Sequence, residues 1–366
     1  MTCGPMIYMS LETGSALCRC TSALDGPLEK VMRIPHRPFG MRGLLAVAAL
    51  LVGFAQPARA AAGIPLDIII FSGVQDLPFF VATERGFFAA QGLDVRITLT
   101  GSSTELREGL AAGKYQIAHT AADNAVALVE LQHAEAVIVM GGDNSFNHLF
   151  VTPEIRTYED LRGKTLAVDA PNTAFALVAY QMLADHGVNR GEYTVSLEGG
   201  TPAKRIAAMA DSHIAQAGML NLPYSILAPG KGLHELGSLT SAIGQYQGTT
   251  GFVLRPWADA HRDTLVRYIA AYIQAVRWIK TPAHKAEAVA MLVDHLKLAP
   301  EIAGQCYDIV ADPTTGFASD AELDLKGLEN VLKLRAVVEG AWGGKPPAAA
   351  RYLDLSFYNQ AIATTR

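Results

Sequence analysis

The sequence predicts an α/β protein built from two similar lobes, and three observations carry that prediction. First, the stretch Gly92 to Leu131 reads as strand (Asp94 to Leu99), polar turn, helix (Thr104 to Ala112), strand (Tyr115 to Thr120), polar turn and helix (Asn124 to Leu131), from its apolar spacing and its start and stop residues. Second, Tyr193 to Leu227 repeats this unit, with Leu197, Gly199 and Ile214 near the places of Leu99, Gly101 and Ile117. Third, glycine-rich breaks flank the repeat as hinges would: GGDNS closes the strand Ala136 to Gly141, and GQYQGTT leads into Gly251 to Leu254. Strand-to-helix junctions of this kind are where open α/β sheets bind small ligands.

At 366 residues, 50% hydrophobic and 18% charged, the chain is long enough for two domains with separate cores. From residue 61 onward it carries 24 Lys and Arg against 32 Asp and Glu, and no basic patch argues for nucleic acid. Residues 42 to 60 hold an arginine, an apolar run from Leu44 to Phe54, a break at Pro57 and the small-x-small pattern Ala58-Arg59-Ala60, which reads as a secretory signal cleaved after Ala60. The apolar run falls well short of the roughly 20 residues a spanning helix needs. Residues 1–60 are therefore expected to be an amino-terminal extension and signal peptide, with the true start at Met1, Met32 or Met41 and the periplasm as destination. Cys3, Cys18 and Cys20 all lie in that segment, so Cys306 alone is left in the mature chain, in an apolar-periodic stretch that marks it as a core residue.

Taking the mature chain in order, Leu66 to Phe71 is a β-branched apolar run fit for a central strand, and FFVATERGFFAAQG after it suits a helix closed by Gly92. Ala82, Glu84, Gly86, Phe87, Phe88, Gly92, Leu93, Asp94 and Val95 stand in the pattern A-x-E-x-G-F-F-x-x-x-G-L-D-V. Together with Gly101 to Thr104, GKYQIA at Gly113 to Ala118 and YEDLRGKTLAV at Tyr158 to Val168, this pattern resembles the periplasmic substrate-binding proteins of the nitrate, sulfonate and taurine ABC transporter family, which also includes binders of thiamine precursors. The likeness runs from about Leu66 to Tyr358.

The resemblance implies a two-lobed periplasmic binding protein of type II, with a ligand cleft between lobes joined by two crossing strands. Lobe one then takes 61–144, lobe two 145–245, and 246–366 returns to lobe one. Helices at Asp263 to Lys280, Pro282 to Leu296, Glu301 to Val310 and Asp320 to Glu339 are expected to pack on lobe one, the first through Leu265, Tyr268, Ile269, Tyr272, Ile273 and Val276. The implied function is a monomeric, non-enzymatic receptor without a cofactor, which hands a small organic ligand to the permease of an ABC importer at the inner membrane. Two alternatives share the fold: an enzyme like the thiamine-pyrimidine synthases, disfavoured by the single mature cysteine and the export signal, and a ligand sensor for a membrane kinase.

No G-x-S-x-G, H-E-x-x-H, phosphate-binding loop or Cys-x-x-Cys occurs, and no two of the ten histidines lie at an i, i+4 helical spacing, so neither catalysis nor a metal site is expected. The candidate ligand contacts are polar residues at the junctions. They are Gln75 and Asp76, then Ser102, Ser103 and Thr104, then Thr120, Asp123 and Asn124. The second unit offers Asp169, Asn172 and Thr173, then Gly199, Gly200 and Thr201, then Asn221 and Tyr224. Free N–H groups at helix starts hold anionic oxygens without Lys or Arg, although Ser103, Asp123, Asn172 and Thr201 equally suit plain helix caps. These loops contain no Lys or Arg, and Asp76 and Asp123 would repel a dianion, so a zwitterion, an amine-bearing heterocycle or a weakly charged organic acid fits better. Phe79, Phe146, Phe175, Tyr224 and Tyr246 adjoin the loops and are placed to stack on a flat ligand or to fill the core. Asp123 is the expected partner of a ligand amine, because Asn124 beside it can begin the helix.

Overall fold

The computed structural model describes residues 63–365. The signal-like segment, its cleavage site and Cys3, Cys18 and Cys20 lie outside them. The chain opens with β1 (Ile64–Phe71), α1 (Leu77–Glu84), α2 (Phe87–Ala90), β2 (Leu93–Thr100), α3 (Ser103–Ala111), β3 (Ile117–Ala121), α4 (Ala122–Gln132) and β4 (Ala136–Met140). It continues through β5 (His148–Val151), β6 (Thr165–Ala167), α5 (Ala174–Asp185), β7 (Thr194–Ser196), α6 (Pro202–Ile206), β8 (Ala217–Leu220), α7 (Tyr224–Leu227), β9 (His234–Ser238) and α8 (Leu239–Ile243). Last come β10 (Thr249–Leu254), α9 (Arg255–Ala260), α10 (Arg262–Ile279), α11 (Lys285–Leu296), α12 (Pro300–Ala311), α13 (Leu325–Glu339) and α14 (Ser356–Thr364).

Among the described residues, ten strands form two five-stranded sheets of one plan, ordered β2-β1-β3-β10-β4 and β7-β6-β8-β5-β9. In each, three parallel strands come first (β2, β1, β3 and β7, β6, β8), followed by an antiparallel strand delivered by a chain crossing (β10 or β5) and then a strand antiparallel to that one. β1 is buried along Leu66, Ile68, Ile69 and Ile70 because helices cover both faces of a largely parallel sheet. All six apolar positions read from the spacing of α10 are buried, as is Cys306, whose thiol burial pushes up to about 12.

Several expectations change. FFVATERGFFAAQG is two helices, because Gly86 adopts φ 72° between α1 and α2, a left-handed conformation that ends the first. Asp320 to Glu339 is a short turn at Ser319–Ala321, with Asp320 at φ 57°, followed by α13. That helix packs on α4 and also on α5 of the second unit, so it is shared between units, and α14, which packs on α10, was not anticipated. Of the glycines flanking the second unit, Gly244 has a positive φ of 80°, but Gly141, Gly142, Gly248 and Gly251 do not. A side chain on Gly248 would collide with the Asp143 carboxylate, and one on Gly142 would meet the Thr249 carbonyl oxygen at 2.8 Å, so glycine is there to let the two crossing segments touch. Asp143 ties them together, its Oδ1 accepting from the N–H of Ser145 at 2.7 Å and of Thr249 at 3.2 Å.

Candidate functional site

Parallel strands place their carboxyl ends on one side of each sheet, and both sets of ends meet at one cavity. From the first sheet come Phe71, Ser72 and Gln75 after β1, Ser103 at the start of α3, His119, Thr120 and Ala121 on β3, and Asn124 in the first turn of α4. The second sheet supplies Asp169 and Thr173 to Phe175 after β6, Gly200, Pro202 and Arg205 after β7, and Asn221 after β8. The crossing segments close the wall with Asp143, Ser145, Phe146, Asn147 and Thr249. Water-sized occupants have about 70 Å³ available inside, room for several waters or one small solute.

Hydrogen bonds join the two units around this cavity. Ser103 Oγ donates to Asp169 Oδ2 at 2.8 Å, and Asn221 Nδ2 donates to Gln75 Oε1 at 3.3 Å. Gly200 and Gly101 face each other so closely that a Cβ on Gly200 would lie 3.2 Å from the Gly101 carbonyl oxygen. The two units are therefore seen in contact, as in a closed jaw.

Of the residues read from the sequence, Gln75, Ser103, Thr120, Asn124, Thr173, Gly200 and Asn221 line the cavity, and so do Asp169, Phe146 and Phe175. The others are elsewhere. Asp76 is buried behind the wall, its Oδ2 accepting from Gly73 N–H at 2.9 Å, and burial, with the Asp143 charge adding to it, raises its pKa well above the usual range. Ser102 is the cap of α3, accepting from Glu105 N–H at 3.2 Å, and Thr201 is the cap of α6, accepting from Lys204 N–H at 3.3 Å. Thr104 does not reach the cavity, and Tyr224 lines a neighbouring groove beside Ser72 and Gly73. Phe79 and Tyr246 are core residues.

The caps differ from expectation too. Ser103 is the first residue of α3 rather than its cap, and α4 starts after Ala121. The cap position of α5 belongs to Thr173, not Asn172, and the Thr173 hydroxyl is spent on Asp169 Oδ1 at 2.7 Å.

Asp123 is the main correction. It is 1% exposed and lies outside the cavity, with both carboxylate oxygens taken by Arg335, from Nε at 2.8 Å and Nη2 at 2.6 Å. Bonded at both oxygens to a buried guanidinium and set outside the cavity, this carboxylate serves Arg335 rather than a ligand amine. Arg335 Nη2 also donates to the Asn172 carbonyl oxygen at 3.1 Å, so this pair spans both units.

Of the cavity residues that the sequence reading did not name, Arg205 and His119 bear most on the site. Arg205 sits on a helix rather than in a loop, and its guanidinium braces the second sheet by donating to the carbonyl oxygens of Met219 at 2.6 Å and Gly199 at 2.5 Å. His119 sits in the middle of β3, 3% exposed, and burial pushes its pKa down to about 3, so it is neutral. The available signal was a polar residue inside an apolar strand. Its partner signal was a glycine in the facing strand: Gly251 stands opposite His119 in the register, where a Cβ would come within 2.9 Å of the imidazole Nε2.

With this geometry in view, known proteins are informative. Residues 88–229 match the family model described as ABC transporter, phosphonate, periplasmic substrate-binding protein. The chain is 23% identical over 214 residues to a putative binding protein, YtlA, of Bacillus subtilis, covering 57% of this chain. It spans 64% of that relative's length and 36% of a second curated relative's. The alkanesulfonate-binding protein SsuA from Xanthomonas axonopodis pv. citri, bound to MOPS, has a TM-score of 0.66 at 16% identity, covering 80% of this chain and 99% of that one. The periplasmic nitrate-binding protein NrtA from Synechocystis has a TM-score of 0.67 at 13% identity, covering 82% and 89%. The fold is that of the two-lobed periplasmic binding proteins, as the resemblance implied.

Proposed function

We propose that this chain is a solute-binding receptor that closes two lobes over a small organic ligand and delivers it to the permease of an ABC importer. The observation that carries this reading is a cavity walled by both sheets and rimmed by hydrogen bonds between them, Ser103 to Asp169 and Asn221 to Gln75. A ligand touching both walls binds the closed arrangement better than the open one, and that difference drives closure.

The three charged residues of the wall are already engaged. Asp143 accepts from backbone N–H groups, Asp169 from Ser103 and Thr173, and Arg205 donates to two carbonyls. These neutral partners leave the charges in place, so an occupant meets two carboxyl groups, a guanidinium with donors to spare and the rings of Phe71, Phe146 and Phe175, which suits a zwitterion, a heterocycle or a weakly charged organic acid better than a dianion. In this reading lobe one takes 61–144 and 246–366, lobe two takes 145–245, and the protein works in the periplasm as a monomer after cleavage behind Ala60. It carries out no chemistry and needs no cofactor.

The test is small-angle scattering of exported protein with and without the solute that native mass spectrometry finds bound, after intact mass has fixed the amino terminus at Ala61. Contraction on saturation is the expected result. An unchanged radius at saturating ligand removes the closing-jaw mechanism.

A further inference from the structure

We infer that His119 and Asn221 together impose a requirement on the ligand: it must donate at least one N–H or O–H hydrogen, which a fully deprotonated oxyanion cannot do. This deepens the receptor reading above and rests on it.

The orientation of Asn221 follows from a short relay. The Phe71 carbonyl only accepts, so Gln75 turns Nε2 towards it, at 3.3 Å, and leaves Oε1 free. Oε1 likewise only accepts, so Asn221 must offer it Nδ2. What remains is Asn221 Oδ1, a buried acceptor on the cavity wall with no partner among the described residues.

His119 poses the same demand from the opposite lobe. Both of its ring nitrogens are buried and have no partner among the described residues. Its ring is wedged among Phe79, with centroids 5.1 Å apart, and Tyr272, at 4.8 Å, neither of which satisfies it. A neutral imidazole carries one donor and one acceptor, so the two side chains present two acceptors and one donor to whatever fills the cavity. Buried polar atoms are nearly always paired in finished structures, and these three atoms, two from the first lobe and one from the second around one cavity, describe the complement of a solute that fits it. Because His119 belongs to the first sheet and Asn221 to the second, a solute that meets both is held only when the lobes are together.

The experiment uses the full mature chain and two variants, His119→Phe, whose ring fits the same aromatic wall, and Asn221→Leu. Calorimetric titration at neutral pH compares urea, acetamide and glycolate, which carry donor hydrogens, with nitrate and methanesulfonate, which carry none. The expected result is that at least one donor-bearing probe binds the natural protein, that its affinity falls at least tenfold in each variant, and that the two oxyanions do not bind. In the same samples without probe, His119→Phe should melt no lower than the natural protein, since an unpartnered imidazole is replaced by a ring that packs. Equal binding of nitrate or methanesulfonate to the natural protein and to His119→Phe would overturn the inference while leaving the receptor reading intact. A melting temperature several degrees lower in His119→Phe would also overturn it, by making the imidazole structural. Failure of every probe, with no contraction in scattering, counts against the receptor reading and takes the inference with it.

Discussion

His119 in the middle of β3 and Asp123 in the first turn of α4 are near neighbours in sequence, both almost wholly buried, and they have opposite surroundings. Asp123 has every oxygen engaged by the Arg335 fork, whereas His119 has neither nitrogen engaged. Being buried and polar therefore does not identify a ligand contact. A buried group that the protein itself satisfies holds the fold together, and a buried group left unsatisfied on a cavity wall is kept for something that arrives later.

The largest effect that would break this contrast concerns the ion pair. Arg335→Met strands the Asp123 carboxylate and should cost about 3 to 5 kcal/mol in denaturant unfolding, as for other broken buried pairs. The double variant Asp123→Leu with Arg335→Met should regain most of that loss. If the single variant unfolds like the natural protein, Asp123 is not the structural member of the comparison.

A smaller effect tests His119 through pH. Its folded pKa of about 3 lies below the ordinary value of about 6.5, so below pH 6.5 the unfolded chain takes up a proton that the folded chain refuses. Its contribution is complete above pH 6.5 and is lost as pH falls towards 3. Asp76 and Asp143 act in the opposite direction, since their raised folded pKa values penalise folding as pH rises through the carboxylate range. Comparison with His119→Phe removes that background, because both aspartates are present in each protein. At pH 5 the natural protein should have lost ~2 kcal/mol relative to the variant, compared with their difference at neutral pH. Parallel melting curves from pH 7 to pH 5 would contradict the assignment.

The smallest effect sharpens the role of the rim. Ser103→Ala removes the hydrogen bond to Asp169 and should shift the balance towards the open form by about 1 kcal/mol, visible as a larger scattering radius without ligand and an unchanged radius with it. No change in the unliganded radius would mean that this bond does not hold the lobes together.

What the sequence made legible was local. The unit from Asp94 to Leu131 and its repeat were readable because apolar period and cap residues act over a few positions, and the observed boundaries of β2, α3, β3 and α4 lie close to those read. Much of the cavity was readable for the same reason, since strand ends and helix starts are local features. What was not legible depends on distance along the chain. Nothing near Asp123 announces Arg335, which lies on a helix close to the carboxyl end, and nothing near His119 announces Gly251 except the register of two strands separated by an entire lobe. Ser103 and Asn172 were misplaced as caps by one residue each, because Ser102 and Thr173 offer equally good chemistry.

The strand order also has a consequence for how the chain folds. β10 sits between β3 and β4 yet is made only after all five strands of the second sheet. That second sheet closes on itself from residues near one another, while the first has a gap at its fourth place until Thr249 emerges. Long-range pairings are slow to form, and unpaired strand edges seek other chains. A chain interrupted before β10 should thus have a second lobe able to close and a first lobe with β3 and β4 each exposing an unpaired edge. During synthesis, that interval is when the chain is most exposed to aggregation and has most to gain from a chaperone.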